Sequence, residues 1–81
     1  MWGELWMSDA AQRLLGENLG QDVMVKLRSN EIVRGRLKSF DQHLNIVLED
    51  AYEIVEDKPR KLGTVVIRGE NIVLITPVAK R

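Results

Sequence analysis

Two polar segments lie far apart in the chain but in the same setting. Asp41-Gln42-His43-Leu44-Asn45 and Ile67-Arg68-Gly69-Glu70-Asn71 each fall between alternating, strongly apolar runs. Between them they offer a flat imidazole, a carboxamide and a guanidinium. Imidazole and guanidinium planes can stack on the faces of an unpaired nucleic-acid base, and a carboxamide can hydrogen-bond its Watson–Crick edge. That is a chemistry of binding. Taken singly, each residue has an ordinary reading: His43 as a loop histidine bonded to backbone, Asn45 as a turn former, Arg68 as a solvated strand end. Their shared placement, each segment just ahead of an apolar strand, is what joins them.

Catalysis finds few candidates. Asp41 and His43 could form an acid–base pair, but no cysteine or second histidine accompanies them as a nucleophile system, and Ser39 falls within a strand pattern. The residues therefore do not read as an enzyme. Asp41 and His43 supply two metal ligands at most, and no glycine-rich phosphate loop is present, so no metal or cofactor is expected.

At 81 residues the chain is one small domain, which buries a smaller share of its surface than a large one. It has no cysteines for disulfides and one histidine, too few for a structural metal site, which leaves oligomerisation as the remaining common route to stability. The lack of cysteine fits a reducing compartment, and a cytoplasmic location is expected. Trp2, Leu5, Trp6 and Met7 are apolar, yet Glu4 interrupts them and the stretch is too short for a signal sequence or membrane span. Residues 1–7 are expected to form a flexible extension. Formal charge is zero, so any nucleic-acid contact must be local and not a general basic surface. The acidic block Glu49, Asp50, Glu53, Glu56, Asp57 and the basic Lys58, Arg60, Lys61 read as a solvated strand end and turn.

The elements that must position the two segments follow from periodicity. Ser8 or Asp9 can cap a helix whose Ala10, Ala11, Leu14 and Leu15 recur at helical spacing until Gly16 or Gly20. From Asp22 the period becomes two, with Val23, Val25 and Leu27 on one face. Ser29-Asn30-Glu31 turns this run into Ile32–Phe40 as a hairpin, and Gly35 within the second run predicts a bend or bulge. Ile46–Val55 reads as a third strand, Asp57-Lys58-Pro59-Arg60 as a turn because Pro59 lacks a donor, Leu62–Arg68 as a fourth strand, and Ile72–Ile75 as a fifth that Pro77 ends. A helix followed by five closely connected strands predicts a small antiparallel barrel. Its last strand is apolar on both faces, and pairing that edge with another subunit would cover it, a head-to-tail contact that can close into a ring.

The chain resembles the Sm and Sm-like (LSm) family, most closely its archaeal members, over nearly everything from Ala10 to Pro77. The first family motif is similar to Gln21–Asp50, with Gly35, Phe40-Asp41-Gln42-His43-Leu44-Asn45 and Val47-Leu48-Glu49-Asp50; the second is similar to Leu62-Gly63-Thr64-Val65-Val66-Ile67-Arg68-Gly69-Glu70-Asn71. A bacterial Hfq-like relationship fits less well, because the second motif lacks the Tyr-Lys-His type of segment. The resemblance implies an N-terminal helix on a five-stranded, strongly bent antiparallel barrel (SH3-like), here a single Sm-like domain over residues 8–81. It implies a homo-oligomeric ring, commonly a heptamer in archaea, joined through neighbouring fourth and fifth strands. It also implies uridine-rich single-stranded RNA at the pore, with work in RNA processing, stability or chaperoning and RNA-processing proteins as further partners.

Carried over position by position, the resemblance assigns RNA binding to Asp41, His43, Asn45, Arg68, Gly69 and Glu70. His43 and Arg68 would sandwich a base, Asn45 would read the uracil edge, Asp41 would orient Asn45 or its loop, and Gly69 would let backbone approach the base. Glu70 stands where relatives often carry Asp, and its longer side chain could reach differently or point into solvent. Zero net charge is compatible with this scheme, because a ring repeats one small stacking site and gains affinity by linked contacts. The competing reading is a ring-shaped protein-docking scaffold with a vestigial RNA site.

Overall fold

The computed structural model describes the backbone of residues 2–78 and the side chains of residues 9–78. The elements run α1 (Trp2–Glu17), β1 (Asp22–Leu27), β2 (Ile32–Phe40), β3 (Ile46–Val55), β4 (Lys58–Ile67), a short 3-10 turn (Gly69–Asn71) and β5 (Ile72–Pro77). All strand pairings are antiparallel, in the order β4-β3-β2-β1-β5. The helix followed by a bent five-stranded sheet is the architecture expected. Helix α1 starts at Trp2, ahead of the Ser8 or Asp9 cap, and the side chains of residues 1–8 lie outside the described residues. It runs through Gly16 and is closed by Asn18, whose Nδ2 donates to the Leu14 carbonyl at 2.9 Å, before Gly20 turns the chain at φ 82°.

The first hairpin and the third strand follow the apolar alternation. Two boundaries do not. Strand β4 begins at Lys58, not Leu62, and includes Pro59, which pairs with Ile54. Proline is tolerated there because β4 is a sheet edge, where a missing N–H costs no ladder bond on its free side. The turn is instead the two residues Glu56 and Asp57, both at positive φ (50° and 69°), the conformation that matches the twist of a tight hairpin. Strand β5 likewise extends to Pro77, opposite Val23, on the other edge.

Gly35 sits where the sheet folds over itself. The β2–β3 register shifts between Arg34 and Arg36 and again between Leu37 and Ser39. A Cβ at position 35 would stand 3.0 Å from Ala51 Cα and Cβ and 3.1 Å from Leu48 Cβ, so any other residue would require β3 to give by a few tenths of an ångström. On the outer surface of the bend Arg36 bridges Glu49 (3.2 Å) and Asp50 (2.9 Å), and Lys38 meets Glu49 at 3.2 Å. These exposed pairs brace the bend but are worth little individually.

Curvature folds the inner faces around Val23, Val25, Leu37, Ile46 and Leu48, all essentially inaccessible, and α1 adds Leu15 to the same core. The free edges are different: Val66 on β4 is 69% exposed and Val73 on β5 is 57% exposed. Among the described residues no helix is long and apolar enough to cross a membrane. Gly35→Ala is expected to destabilise the fold by about 1–3 kcal/mol through overpacking, seen as a lower urea midpoint at unchanged slope. A midpoint equal to wild type would mean that β3 yields freely at Ala51.

Candidate nucleic-acid interface

Sheet register brings the two polar segments together. Ile46, which opens β3, pairs with Ile67, which closes β4, so Asn45 and Arg68 leave the sheet side by side at one end. The first segment forms a tight turn, with Leu44 N–H donating to the Asp41 carbonyl at 3.0 Å and Asp41 N–H to the Asn45 carbonyl at 3.1 Å. Leu44 takes φ 65°, a left-handed conformation unusual for leucine. Its side chain packs against the core, while His43 is left exposed beside it.

Asp41 is the turn's internal anchor. Its Oδ1 accepts from the N–H of His43 (2.9 Å) and of Asn45 (3.0 Å), and its Oδ2 accepts from Asn45 Nδ2 at 3.0 Å. Asn45 Oδ1 then accepts from Gly69 N–H at 2.8 Å, across to the second segment. These partners fix which way the amide points, since a carboxylate can only accept and a backbone N–H can only donate. Each end of the amide retains one free bonding position, a donor on Nδ2 and an acceptor on Oδ1.

Gly69 is required by this contact. A Cβ there would collide with the His43 carbonyl oxygen and stand 3.0 Å from the Leu44 carbonyl carbon and oxygen. The direction a side chain would take from residue 69 is filled by the facing loop, so the glycine serves the loop–loop junction. Glu70 turns back toward its own segment, its Oε2 3.7 Å from Arg68 Nε, with both side chains largely exposed. An open hollow of 510 Å³ is lined by His43, Asn45, Arg68, Gly69 and Glu70. Five of the six residues singled out in the sequence line it, and Asp41 lies beneath.

Other contributors escape a sequence reading. Arg68 also borders a second groove, of 450 Å³, whose walls include Arg28, Ser29, Glu31 and Asn71, so two guanidiniums share it with one carboxylate. Arg28 arrives there because Leu27 pairs with Ile72, and its N–H donates to the Asn71 carbonyl at 2.9 Å. Gln12 of α1 donates from Nε2 to the Gln42 carbonyl at 3.2 Å, tying the helix to the turn. Nothing in the local sequence around Arg28 or Gln12 announces these long-range partners. Among the described residues no group of three or more metal-ligating side chains occurs.

Bonds from Asn45, its side chain first and then its backbone, together with the His43 N–H, hold the Asp41 carboxyl below the ordinary aspartate range. A depressed folded pKa means that the carboxylate's contribution is intact above the ordinary value, about 3.9, and is lost as pH falls through the lower folded value. The acid-side shift of the Asn45 Nδ2–H NMR signal should therefore have its midpoint below the ordinary aspartate value, about 3.9. An Asp41 carboxyl titrating at or above the ordinary value would contradict the anchoring role.

Comparison with known proteins bears on the family and the fold. The LSM domain family matches residues 13–77. An snRNP Sm-like protein of Aeropyrum pernix is 46% identical over 67 residues, covering 83% of this chain and 87% of the relative. Among solved structures, the Pyrobaculum aerophilum Sm-like heptamer superposes with a TM-score of 0.83 at 48% identity, covering 85% of this chain and 93% of the other. The Pyrococcus abyssi Sm protein in complex with a uridine heptamer gives 0.78 at 38% identity, covering 83% and 96%. With a family match over most of its length and relatives this similar across most of both chains, the chain belongs to the LSM-domain family of Sm-like proteins.

Proposed function

We propose that this chain assembles into a homo-oligomeric ring, a heptamer like its P. aerophilum relative, and binds uridine-rich single-stranded RNA in the hollows between His43 and Arg68. The observation that carries the reading is the locked Asn45 amide, which lines one hollow together with the planar side chains of His43 and Arg68. An amide fixed in one orientation presents its N–H and C=O in one order. Uracil's edge offers O4 as acceptor and N3–H as donor, whereas cytosine offers a donor and an acceptor in the reverse order at the same places. A base held by stacking between His43 and Arg68 is thus read by Asn45. The P. abyssi relative bound to a uridine heptamer supports this choice of ligand.

Arg28 extends the site toward the backbone of the strand. Its groove shares Arg68 with the base hollow, and a phosphate leaving the stacked nucleotide would meet a second guanidinium there. The ring follows from the two free edges: β4 exposes Val66 and β5 exposes Val73 and Leu74, and strand pairing between copies would bury both. Such a ring would serve in RNA processing, stability or chaperoning.

Replacing His43 or Arg68 with Ala is expected to weaken binding of every single strand by about 1–3 kcal/mol per site, the worth of one stacked base, while preserving base preference. Asn45→Ala should instead narrow the gap between oligouridine and oligocytidine. Arg28→Ala should reduce the slope of log affinity against log salt by about 0.7 for each phosphate that its guanidinium neutralises. Fluorescence anisotropy on variants that keep the wild-type oligomer reads all three. Wild-type affinity and preference in a double Asn45→Ala, Arg68→Ala variant would favour the protein-docking scaffold instead. For the ring, Val73→Glu should convert the wild-type oligomer to monomers or aggregates in light scattering, and a stable wild-type monomer at micromolar concentration would refute it.

A further inference from the structure

The face of the sheet turned away from the core carries a pattern that the two polar loops do not use. Strand register sets Met24, Arg34, Tyr52 and Lys61 in one row across β1, β2, β3 and β4. Beside it run Lys26, Ile32, Ile54 and Pro59. Val25 and Val33, which alternate with these residues along β1 and β2, are buried in the core, so both rows point outward. They hold Arg34, Lys61 and Lys26 as cations, one aromatic ring, and no acid. Tyr52 is the chain's only tyrosine, and it lines an open hollow of 290 Å³ with Asp50, Ala51, Pro59 and Lys61.

Acids near this face are engaged elsewhere. In the hollow, Asp50 Oδ2 lies 2.9 Å from Arg36 Nη1, and Asp22 sits 3.5 Å from Arg34 at the end of β1. Glu53 shares the opposite face of the hairpin with Arg60, 4.0 Å away, while Glu56 and Asp57 form the turn. The Lys61 ammonium has no ion pair among the described residues.

We propose that this outer face holds single-stranded RNA at a second site, with a base stacked on Tyr52 and the flanking phosphates on Arg34 and Lys61. A nucleotide chain alternates planar base and anionic phosphate, and the row offers cation, ring and cation at the spacing of adjacent strands, about 4.8 Å. A run of carboxylates would satisfy the cations but leave the ring without a stacking partner. Neither row contains a carboxamide, so this face lacks the edge reader that Asn45 supplies, and it accepts any base. Tyr52 lies six residues along β3 from Ile46, about 20 Å at 3.3 Å per residue, which makes it a contact separate from the base hollow. Ring assembly leaves it open. Strand β5 has 6 residues and β4 has 10, so a neighbour's β5 centred near Val66 leaves the Lys58 end of β4 unpaired. Pro59, which has no N–H, and the cations around it also oppose strand pairing there.

Because the site stands apart from the uridine reading, its test uses a single-stranded hexanucleotide of adenosine and cytidine only. Titrated into the wild-type oligomer carrying 3-fluorotyrosine, it should shift the fluorine-19 signal of residue 52, the sole labelled position. A silent signal, or one that responds to oligoglutamate and not to RNA, would overturn the proposal. In fluorescence anisotropy Tyr52→Phe should keep the hexanucleotide affinity, and Tyr52→Leu should lower it about fivefold or more, the low end for one stacked base. Lys61→Glu alters an exposed position and no core contact, so it serves even where Tyr52→Leu does not fold. It should cost about fivefold or more as well, since an attraction to phosphate becomes a repulsion. Unchanged affinity in either folded variant would overturn the site. Oligouridine that perturbs the Asn45 side chain while residue 52 ignores all RNA removes only this second site. A response at residue 52 in a ring indifferent to uridine removes only the uridine reading.

Discussion

The hydrogen bond from Gly69 N–H to Asn45 Oδ1 joins two loops 24 residues apart, and the geometry of the interface depends on it. Asp41 alone could hold Asn45 by its nitrogen, but an amide held at one end still pivots. The second bond removes that freedom and sets donor and acceptor in a defined order. Its length of 2.8 Å is possible only because residue 69 has no Cβ to meet the His43 carbonyl. Three sequence features thus reduce to one constraint: a carboxylate beneath the turn, an amide at its end and a glycine opposite.

That constraint is satisfied only because the sheet delivers both loops to the same place. Pairing of Ile46 with Ile67 fixes the separation of the two segments, and pairing of Leu27 with Ile72 adds the first hairpin, with Arg28, as a third contributor. The β2–β3 pairing turns on the bend at Gly35, where a Cβ would crowd Ala51 and Leu48. A slip of one residue in β3 or β4 would reverse the faces of the apolar set and separate Asn45 from Arg68 together. Core packing and site geometry are therefore one problem here.

Local sequence chemistry disclosed most of this arrangement. Alternation located the first three strands, the glycine within the second marked the bend, and two polar interruptions marked the loops, because these signals lie in the residues themselves. What remained hidden depends on partners distant in the chain. Pro59 reads locally as a strand breaker, yet sits within β4, since only the finished sheet makes that strand an edge. Gly69 reads as a place of close approach, and only the fold shows that the approaching group is the His43 and Leu44 backbone. Arg28 looks like one more outward residue at a hairpin until β5 pairs beside it. The side-chain role of residues 1–8 lies outside the described structure.

Charge explains why such a site needs repetition. The chain is neutral, and the guanidinium facing the hollow already has Glu70 Oε2 at 3.7 Å, so a single site offers little net attraction to a phosphate chain. Stacking and one oriented amide contribute a few kcal/mol at most, which corresponds to weak binding for one nucleotide. Low charge also lessens the sequence-independent attraction that would mask base preference, because phosphate contacts carry no sequence information. Within the proposed ring, the same apolar edges that make the lone chain marginal would multiply the site along one strand. Effective concentration then supplies the affinity that charge does not, and selectivity stays with the amide.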